Sequence, residues 1–274
     1  MEIKIENVWE KKKSELNKDL LKGSCLFMVY ESSKDPNEEF DVDIESFRGL
    51  CKEYGVDLQV AQMYTSKDKI INYIRGLSVD SSVQGIVIGK SWANDPDIGD
   101  DILVELKWMK DVGGISGTSQ ALLNRSYRTH VPYQVCSCMD LLDESMKMMD
   151  TLIVGRLDSL LYNPLRLLIE RNLGTVTFVH EGTSLATIFR RMHDSDAIII
   201  LDDIFEDQLS YQDVSNRGGW CLETLLSLVK DKIDVDSFEL TNIMVSNDVW
   251  KLNELNLLSN LADAIDIMKV GEPE

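Results

Sequence analysis

Residues 151–180, with the sequence TLIVGRLDSLLYNPLRLLIERNLGTVTFVH, contain two apolar segments of strand length separated by a helix-like segment. Residues 151–155 form a short apolar run that ends at a glycine, and residues 175–180 are rich in β-branched side chains. Residues 163–171 lie between them and have Pro164 near their start, where a helix tolerates proline. A strand, a helix and a strand in this order predict a parallel sheet covered by helices.

The same alternation continues on both sides of this segment. Further strands are predicted at residues 25–30, 56–63, 83–89 and 197–201, and helices at residues 7–22, 41–54, 66–77, 140–149, 183–192 and 251–268. Residues 32–39 and 94–101 are polar and contain proline, so we predict loops there. The glycine-rich residues 112–117 indicate a domain boundary shortly after them. The predicted fold class is α/β, in two domains.

The charge of the chain restricts its partners. The 274 residues include 47 acidic and 28 basic side chains, which gives a formal net charge of −19. This balance disfavours nucleic acids and anionic membranes, because both are bound through Lys and Arg. No apolar run approaches the length needed to cross a bilayer, and the first residues lack the hydrophobic segment of a signal peptide. We therefore predict a cytoplasmic protein that binds neither nucleic acid nor membrane.

Cysteine and histidine show no ligand pattern. The five cysteines are an odd number, and Cys136 and Cys138 are spaced more tightly than a zinc-binding pair. The three histidines fit no HExxH motif. We predict neither a disulfide scaffold nor a metal site.

Ligands bind open α/β sheets beyond the carboxyl ends of the strands. The candidate residues at such ends are Gly155 and Arg156 after one predicted strand, and His180 and Thr183 after the next. A glycine permits close approach of a phosphate, but the GxGxxG pattern is absent, so a helix-capping turn is the alternative. His180 and Thr183 could meet a nucleotide or cap a strand end. Asp202-Asp203 could bind ribose or form a solvated turn.

Several segments, in order, resemble the methylenetetrahydrofolate dehydrogenase/cyclohydrolase family. The cofactor-domain signature of that family runs approximately VIGRS…VG.P…LL…ATVT..H..T. Matching it are residues 152–156 (LIVGR), 163–165 (NPL), 167–168 (LL) and 175–177 (TVT), with His180 and Thr183. Upstream, residues 83–88 (VQGIVI) resemble the strand before its QLPLP motif, and residues 110–114 (KDVGG) resemble KDVDG. Pro132 and the pair Leu141-Leu142 lie where its PCTP…LL segment would fall.

The resemblance implies an architecture and ligands. A three-layer α/β domain of the folate-binding type would comprise residues 1–122 and be completed by a C-terminal helix, 251–274, that returns to it. A Rossmann-like domain, residues 123–250, would bind NAD or NADP through Gly155, Arg156, His180 and Thr183. The resemblance further implies one-carbon metabolism, folate or dinucleotide as ligand, no metal, and a homodimer.

The departures from the family pattern concern its catalytic residues. The tyrosine and lysine that the family carries on the helix after its first strand are replaced by Asp43 and Phe47, and a phenyl ring has no proton to transfer. QLPLP becomes residues 89–93 (GKSWA), the second aspartate of KDVDG becomes Gly113, and PCTP becomes residues 132–135 (PYQV). The glycine-rich PGGVGP loop becomes residues 246–251 (SNDVWK). We therefore assign no catalytic residue and predict an impaired enzyme that could retain nucleotide or folate binding.

Two alternatives remain open at this stage. The first is an active monofunctional NAD(P)-dependent methylenetetrahydrofolate dehydrogenase, in which Lys52 or Lys90 substitutes for the missing lysine unless both are solvated surface residues. The second is an unrelated Rossmann-like enzyme that shares only βαβ geometry. For the cofactor itself, Arg156 could pair with a 2′-phosphate, whereas the nearby Asp158 would oppose one.

Overall fold

The computed structural model describes residues 5–142, 149–201, 242–245 and 250–270. These residues form two compact units. The first unit contains the described residues up to Leu141 together with the last helix, and the second contains those from Leu142 to Val245. The first unit continues past residue 122, after which the sequence predicts the boundary, and includes the helix Tyr133–Leu141.

The first unit contains a three-stranded parallel sheet. Its strands are β1 (Cys25–Glu31), β2 (Asp57–Met63) and β3 (Gly85–Ile88), in the order β2-β1-β3. The central strand buries Leu26, Met28 and Val29 completely, as its continuous apolar sequence predicts. The surrounding helices are α1 (Ile5–Glu15), α2 (Lys18–Leu21), α3 (Pro36–Phe40), α4 (Ile44–Tyr54), α5 (Lys67–Val79), α6 (Lys90–Ala93), α7 (Gly99–Glu105), α8 (Gly117–Asn124) and α9 (Tyr133–Leu141), with a 3₁₀ turn at Trp108–Lys110.

Local capping divides one predicted helix and starts a short helix within a predicted loop. Residues 7–22 form α1 and α2, because the Asn17 side chain accepts a hydrogen bond from Leu20 N at 3.1 Å and starts a new helix. The predicted loop at residues 32–39 is partly wrong: Asp35 caps α3, whose first residue is Pro36. Asp41 then adopts a left-handed conformation (φ 50°), which ends α3 before α4 begins.

The last helix, α12 (Trp250–Val270), packs on the first unit, as predicted for residues 251–268. The helix buries five leucines completely: Leu252, Leu255, Leu257, Leu258 and Leu261. A stripe of buried asparagines holds the surrounding loops. Asn253 donates to Asp41 O at 2.8 Å, Asn256 donates to Ser137 Oγ at 3.0 Å, and Asn260 donates to two backbone carbonyls. The helix is therefore held by directional bonds as well as by apolar packing.

The second unit contains a four-stranded parallel sheet of Rossmann-like type. Its strands are β4 (Asp150–Val154), β5 (Thr175–Val179), β6 (Ala197–Ile200) and β7 (Asn242–Val245), in the order β5-β4-β6-β7. Helices α10 (Tyr162–Arg171) and α11 (Leu185–His193) follow β4 and β5. The α/β fold class and the strand–helix–strand prediction for residues 151–180 are confirmed.

Some sequence predictions have a different outcome. The helix predicted at residues 140–149 does not begin at residue 140, because residues 140 and 141 are the last two residues of α9. Residues 143–148 of this prediction lie outside the described residues. Strand β7 was not predicted, and α7 begins within the predicted loop at 94–101. In the part of the chain that the structure describes, every helix is too short or too polar to span a bilayer.

Candidate functional site

The sequence-predicted nucleotide residues lie at the carboxyl ends of two adjacent strands. Val154 and Val179 are paired in the parallel register of β4 and β5, and Gly155 N donates to Val179 O at 3.1 Å. His180 and Thr183 follow β5. Strand β4 lies between β5 and β6, so its carboxyl end is a topological switch point, where open α/β sheets bind ligands. The structure thus brings Gly155 close to the loop that carries His180 and Thr183.

The loop after β5 is fixed by its own hydrogen bonds. Thr183 Oγ1 accepts from His180 N at 3.1 Å, and Thr183 N donates to His180 O at 2.8 Å. His180 Nδ1 accepts from Gly182 N at 3.1 Å, so the neutral ring carries its proton on Nε2. The ring also stacks at 5.8 Å on Phe178, which in turn stacks at 3.9 Å on Tyr162. These contacts are the ones expected if His180 and Thr183 cap the end of β5, and they also restrict the conformation of the loop.

One basic and two acidic side chains meet at the turn after β4. Arg156 Nε lies 3.2 Å from Asp158 Oδ1, and both side chains are largely exposed. Glu181, from the loop after β5, accepts a hydrogen bond from Leu157 N at 3.0 Å. The sequence analysis did not single out Glu181, although an acidic residue after the second strand of a dinucleotide-binding unit is a known signal for ribose recognition.

The chemistry of this turn fits one part of a dinucleotide. An ionised carboxylate only accepts hydrogen bonds, so Glu181 suits the hydroxyl groups of a ribose. The nearby helix α10 begins at Tyr162 without a side-chain cap. A second glycine is absent from the turn, which distinguishes it from the GxGxxG fingerprint. The residues present therefore fit a ribose-bearing ligand better than they fit a closely cradled pyrophosphate.

In the first unit, the positions of the family's tyrosine and lysine have structural roles. Asp43 is the N-cap of α4, and its Oδ1 accepts from Glu45 N at 3.0 Å and from Ser46 N at 3.2 Å. Phe47 is 0% exposed and lies in the hydrophobic core with the other apolar residues of α4. The aspartate stabilises the start of the helix and the phenyl ring stabilises its packing.

Asp41 is the centre of a polar cluster near the carboxyl end of β3. Lys90, two residues beyond β3, places Nζ 3.1 Å from Asp41 Oδ1. Gln134 Nε2 donates to Asp41 Oδ2 at 3.3 Å, and Asn253 Nδ2 donates to its backbone oxygen. Lys90 therefore makes a specific ion pair, whereas Lys52 is exposed in the last turn of α4. Asp41 and the two amide side chains that bond to it were not identified from the sequence as members of this cluster.

The segment that replaces QLPLP forms helix α6. Ser91 donates from its backbone N and from its Oγ to Glu39 Oε2, at 3.0 Å and 2.8 Å. A Cβ at Gly89 would lie 2.5 Å from the same carboxylate oxygen, so glycine is required for this approach. Trp92 is 4% exposed. The segment is thus built around a buried glutamate and a buried indole.

The KDVGG segment is also structural. Lys110 Nζ donates to Leu77 O at 3.2 Å and to Asp80 O, which ties the segment to the end of α5. Asp111 is fully buried and accepts from Ser116 N at 2.8 Å and from Ser119 Oγ at 2.7 Å. At Gly113, where the family has its second aspartate, an added Cβ would meet no atom closer than 3.6 Å. Sterics therefore do not explain the loss of that aspartate.

Glu254 on α12 is the most perturbed carboxyl group in the first unit. It is 3% exposed, and Ser46 Oγ donates to its Oε2 at 3.2 Å, while Oε1 has no partner among the described residues. Burial, together with the negative charge of Asp43, raises the pKa of Glu254 to about 7, against the opposing effects of Ser46 and Lys251. A carboxyl group with this pKa exchanges its proton near neutral pH.

Other candidate residues fall outside this description. Asp202-Asp203 and residues 246–249 of the segment that replaces PGGVGP lie outside the described residues. Within the described ranges, no three His, Cys, Asp or Glu side chains are grouped so that they could hold a metal ion.

Comparison with known proteins gives one match in sequence and several in structure. No protein-family model matches the chain. The bifunctional protein FolD 1 of Salinispora arenicola is 29% identical over 166 residues, which is 58% of this chain and 57% of that protein. The chain therefore aligns with little more than half the length of this relative.

Two solved structures illustrate the structural likeness. The bifunctional methylenetetrahydrofolate dehydrogenase/cyclohydrolase FolD of Campylobacter jejuni has a TM-score of 0.67 and 18% identity, covering 96% of this chain and 95% of its own. The Trypanosoma brucei enzyme, complexed with NADP and an inhibitor, has a TM-score of 0.70 and 15% identity, covering 98% of this chain and 96% of its own.

These comparisons confirm the resemblance predicted from the sequence. The chain has the two-domain fold of the methylenetetrahydrofolate dehydrogenase/cyclohydrolase proteins, with a Rossmann-like second unit. The likeness extends over both units, and not over a single βαβ segment alone. The low identities agree with the departures at the motif positions.

Proposed function

We propose that this chain, a divergent relative of the methylenetetrahydrofolate dehydrogenase/cyclohydrolase proteins, retains a dinucleotide-binding unit but has lost the proton-transfer residues of cyclohydrolase chemistry. The observation that carries the proposal is the environment of Phe47. This side chain occupies the position of the family's lysine and is completely buried in the core. A phenylalanine side chain carries no transferable proton, so no change of its rotamer could restore a proton donor at this position.

The neighbouring motif positions support the same conclusion. The carboxylate of Asp43 is engaged by two backbone N–H groups at the start of α4, and a glycine stands at position 113 in place of an acid. Efficient proton transfer requires a positioned group with a pKa near the working pH. None of these three positions supplies such a group. The chain is therefore proposed to lack cyclohydrolase activity and to be impaired as a dehydrogenase.

The second unit supports retained nucleotide binding. Gly155, Arg156, His180 and Thr183 lie on two adjacent loops at the switch point of the sheet, with Glu181 between them. When bound, a nicotinamide dinucleotide would supply hydride chemistry. The chain's own contribution would be to hold the ribose with Glu181, to approach the ligand closely at Gly155 and to fix the loop through His180 and Thr183.

An active monofunctional dehydrogenase is the second candidate, and the Lys90–Asp41 pair is the observation that favours it. Hydride transfer needs mainly alignment of cofactor and substrate, so a protein can lose the family's lysine and still catalyse it. Lys90 is half exposed and near the carboxyl end of β3, where an ammonium group could contact a folate carboxylate or ring oxygen.

Calorimetry followed by an assay separates the two candidates. The purified chain is titrated with NAD⁺, NADP⁺ and tetrahydrofolate, and formation of reduced nicotinamide from methylenetetrahydrofolate is then followed at 340 nm. We expect binding of a dinucleotide without turnover. Turnover that Lys90→Met abolishes and Lys52→Met preserves would establish the second candidate, and absence of all binding would refute both.

We also propose that the chain forms a homodimer and is located in the cytoplasm. The resemblance implies a homodimer, which sedimentation equilibrium on the purified chain would test. The four described cysteines are free thiols, which suits a reducing compartment such as the cytoplasm.

A further inference from the structure

We propose that Glu181 and Asp158 together make the nucleotide site of the second unit selective for a ribose with a free 2′-hydroxyl, so that NAD binds and NADP is excluded. This inference rests on the proposed dinucleotide binding and extends it from the ligand class to one ligand. Glu181 was not identified from the sequence, and Asp158 was considered only as a residue that would oppose a 2′-phosphate.

The position of Glu181 is the first step. It is the second residue after β5, and its carboxylate extends across to the turn after β4, where Oε2 accepts from Leu157 N at 3.0 Å. The backbone on either side is held by the bonds of His180 to Thr183 and Gly182. The carboxylate is therefore held over the turn in a loop that has little freedom to swing away.

The hydrogen-bonding capacity of the turn is the second step. Backbone N–H groups in such a turn are the usual donors to a phosphate, and here the N–H of Leu157 is already bonded to the carboxylate of Glu181. A 2′-phosphate would have to displace that carboxylate. A 2′-hydroxyl would instead donate its hydrogen to a carboxylate oxygen, which has spare lone pairs.

The charge at the turn is the third step. Arg156 is the cation that would pair with a 2′-phosphate, and its Nε lies 3.2 Å from Asp158 Oδ1. At pH 7 the two carboxylates exceed the single guanidinium by one negative charge. A phosphate group with nearly two negative charges is therefore repelled, whereas a neutral 2′-hydroxyl is not. Such repulsion corresponds to at least about a tenfold difference in affinity.

The test compares the affinity of NAD⁺ and NADP⁺ for the full chain by isothermal titration calorimetry. The variant Glu181→Gln keeps the shape and the acceptor for Leu157 N but removes the charge and adds a donor. Glu170→Gln is the matched control, because Glu170 is an acid of the same unit that pairs with Arg166 on α10 at 2.7 Å, away from the turn. Both variants change the net charge equally.

We expect the wild-type chain to bind NAD⁺ at least about tenfold more tightly than NADP⁺, since the repulsion above acts on NADP⁺ alone. Glu181→Gln should reduce this preference about tenfold, and Glu170→Gln should leave it unchanged. If Glu181→Gln fails to fold by circular dichroism, Asp158→Asn replaces it, because removal of the Asp158 carboxylate lowers the negative charge at the turn by the same amount and should also strengthen NADP⁺ binding.

Three outcomes would overturn the inference, and they differ from one another. A wild-type preference for NADP⁺ contradicts the selectivity while leaving dinucleotide binding intact. An unchanged preference in both the Glu181 and the Asp158 variants removes these residues from the explanation. Failure of the wild type and of every variant to bind either dinucleotide refutes the proposed function itself and this inference with it.

Discussion

Replacing Glu254 with glutamine is expected to stabilise the folded chain at and above neutral pH. The carboxyl group is 3% exposed and receives one hydrogen bond, from Ser46, and burial raises its pKa to about 7. An ionised carboxylate in this position lacks the hydration it would have in the unfolded chain. Glutamine has nearly the same shape and can still accept from Ser46 without carrying a charge.

The sign and size of the effect follow from the two pKa values. The folded pKa of about 7 lies above the ordinary value of 4.5, so between these pH values the folded state retains a proton that the unfolded state has released. The free energy of unfolding therefore falls as pH rises from about 4.5 to about 7 and is then constant. At about 1.4 kcal/mol per pH unit, the shift of about 2.5 pH units gives a loss of at most about 3.5 kcal/mol, and water reaching the carboxyl group would reduce this loss towards about 1 kcal/mol.

Urea denaturation at pH 5, 6, 7 and 8 measures this difference directly. Glu254→Gln should exceed the wild type by about 1–3 kcal/mol at pH 8, and the gap should shrink below about 1 kcal/mol at pH 5. Ser46→Ala is the companion variant, because loss of the hydroxyl that stabilises the ionised form should raise the pKa of Glu254 and extend the loss of stability to higher pH. A gap between Glu254→Gln and wild type that is the same at every pH would refute the reasoning.

Three further substitutions test the structural assignments by urea denaturation. Phe47→Ala should cost about 3–5 kcal/mol, because it removes a completely buried ring, and a cost below about 1 kcal/mol would contradict a core position. Asn260→Ala should cost about 1–3 kcal/mol by leaving the carbonyls of Val112 and Val131 without their donor, whereas a neutral effect would mean that water replaces the amide. Gly113→Asp should change the free energy of unfolding by less than about 1 kcal/mol, because a Cβ at this position meets nothing closer than 3.6 Å. Gly114→Ala should lower it much more, because the backbone has a φ of 69° and a Cβ would lie 2.5 Å from Pro132 N. Equal effects of the two glycine substitutions would show that the loop rearranges.

The strands were predictable because their signal is local. A strand covered on both faces must be apolar at successive positions, and segments such as residues 25–30 and 197–201 satisfy this condition in any context. Strand β7 (Asn242–Val245) escaped prediction because its apolar run is only three residues long, residues 243–245, and lies between the polar Asn242 and Ser246. The helix boundaries depended on single capping side chains such as Asn17 and Asp43, whose role is set by backbone geometry.

The candidate nucleotide residues were partly predictable for a topological reason. Gly155 and His180 each follow a predicted strand, and the carboxyl ends of adjacent parallel strands lie at the same edge of a sheet. Glu181 could have been included by the same argument, as the acid that follows the second strand. Its bond to Leu157 N could not, because the two residues are separated along the chain and meet only when β4 and β5 pair.

The sequence by itself determined the α/β class, the two-domain order and the loss of the family's lysine, because strand composition and residue identity are local properties. Only the tertiary structure showed what the residues that differ from the family pattern do. It buried Phe47 in the core and raised the pKa of Glu254, and it joined Asp41 to Lys90. Burial and pairing arise from residues distant in the chain, so the electrostatic character of each group is set only when the surrounding elements pack.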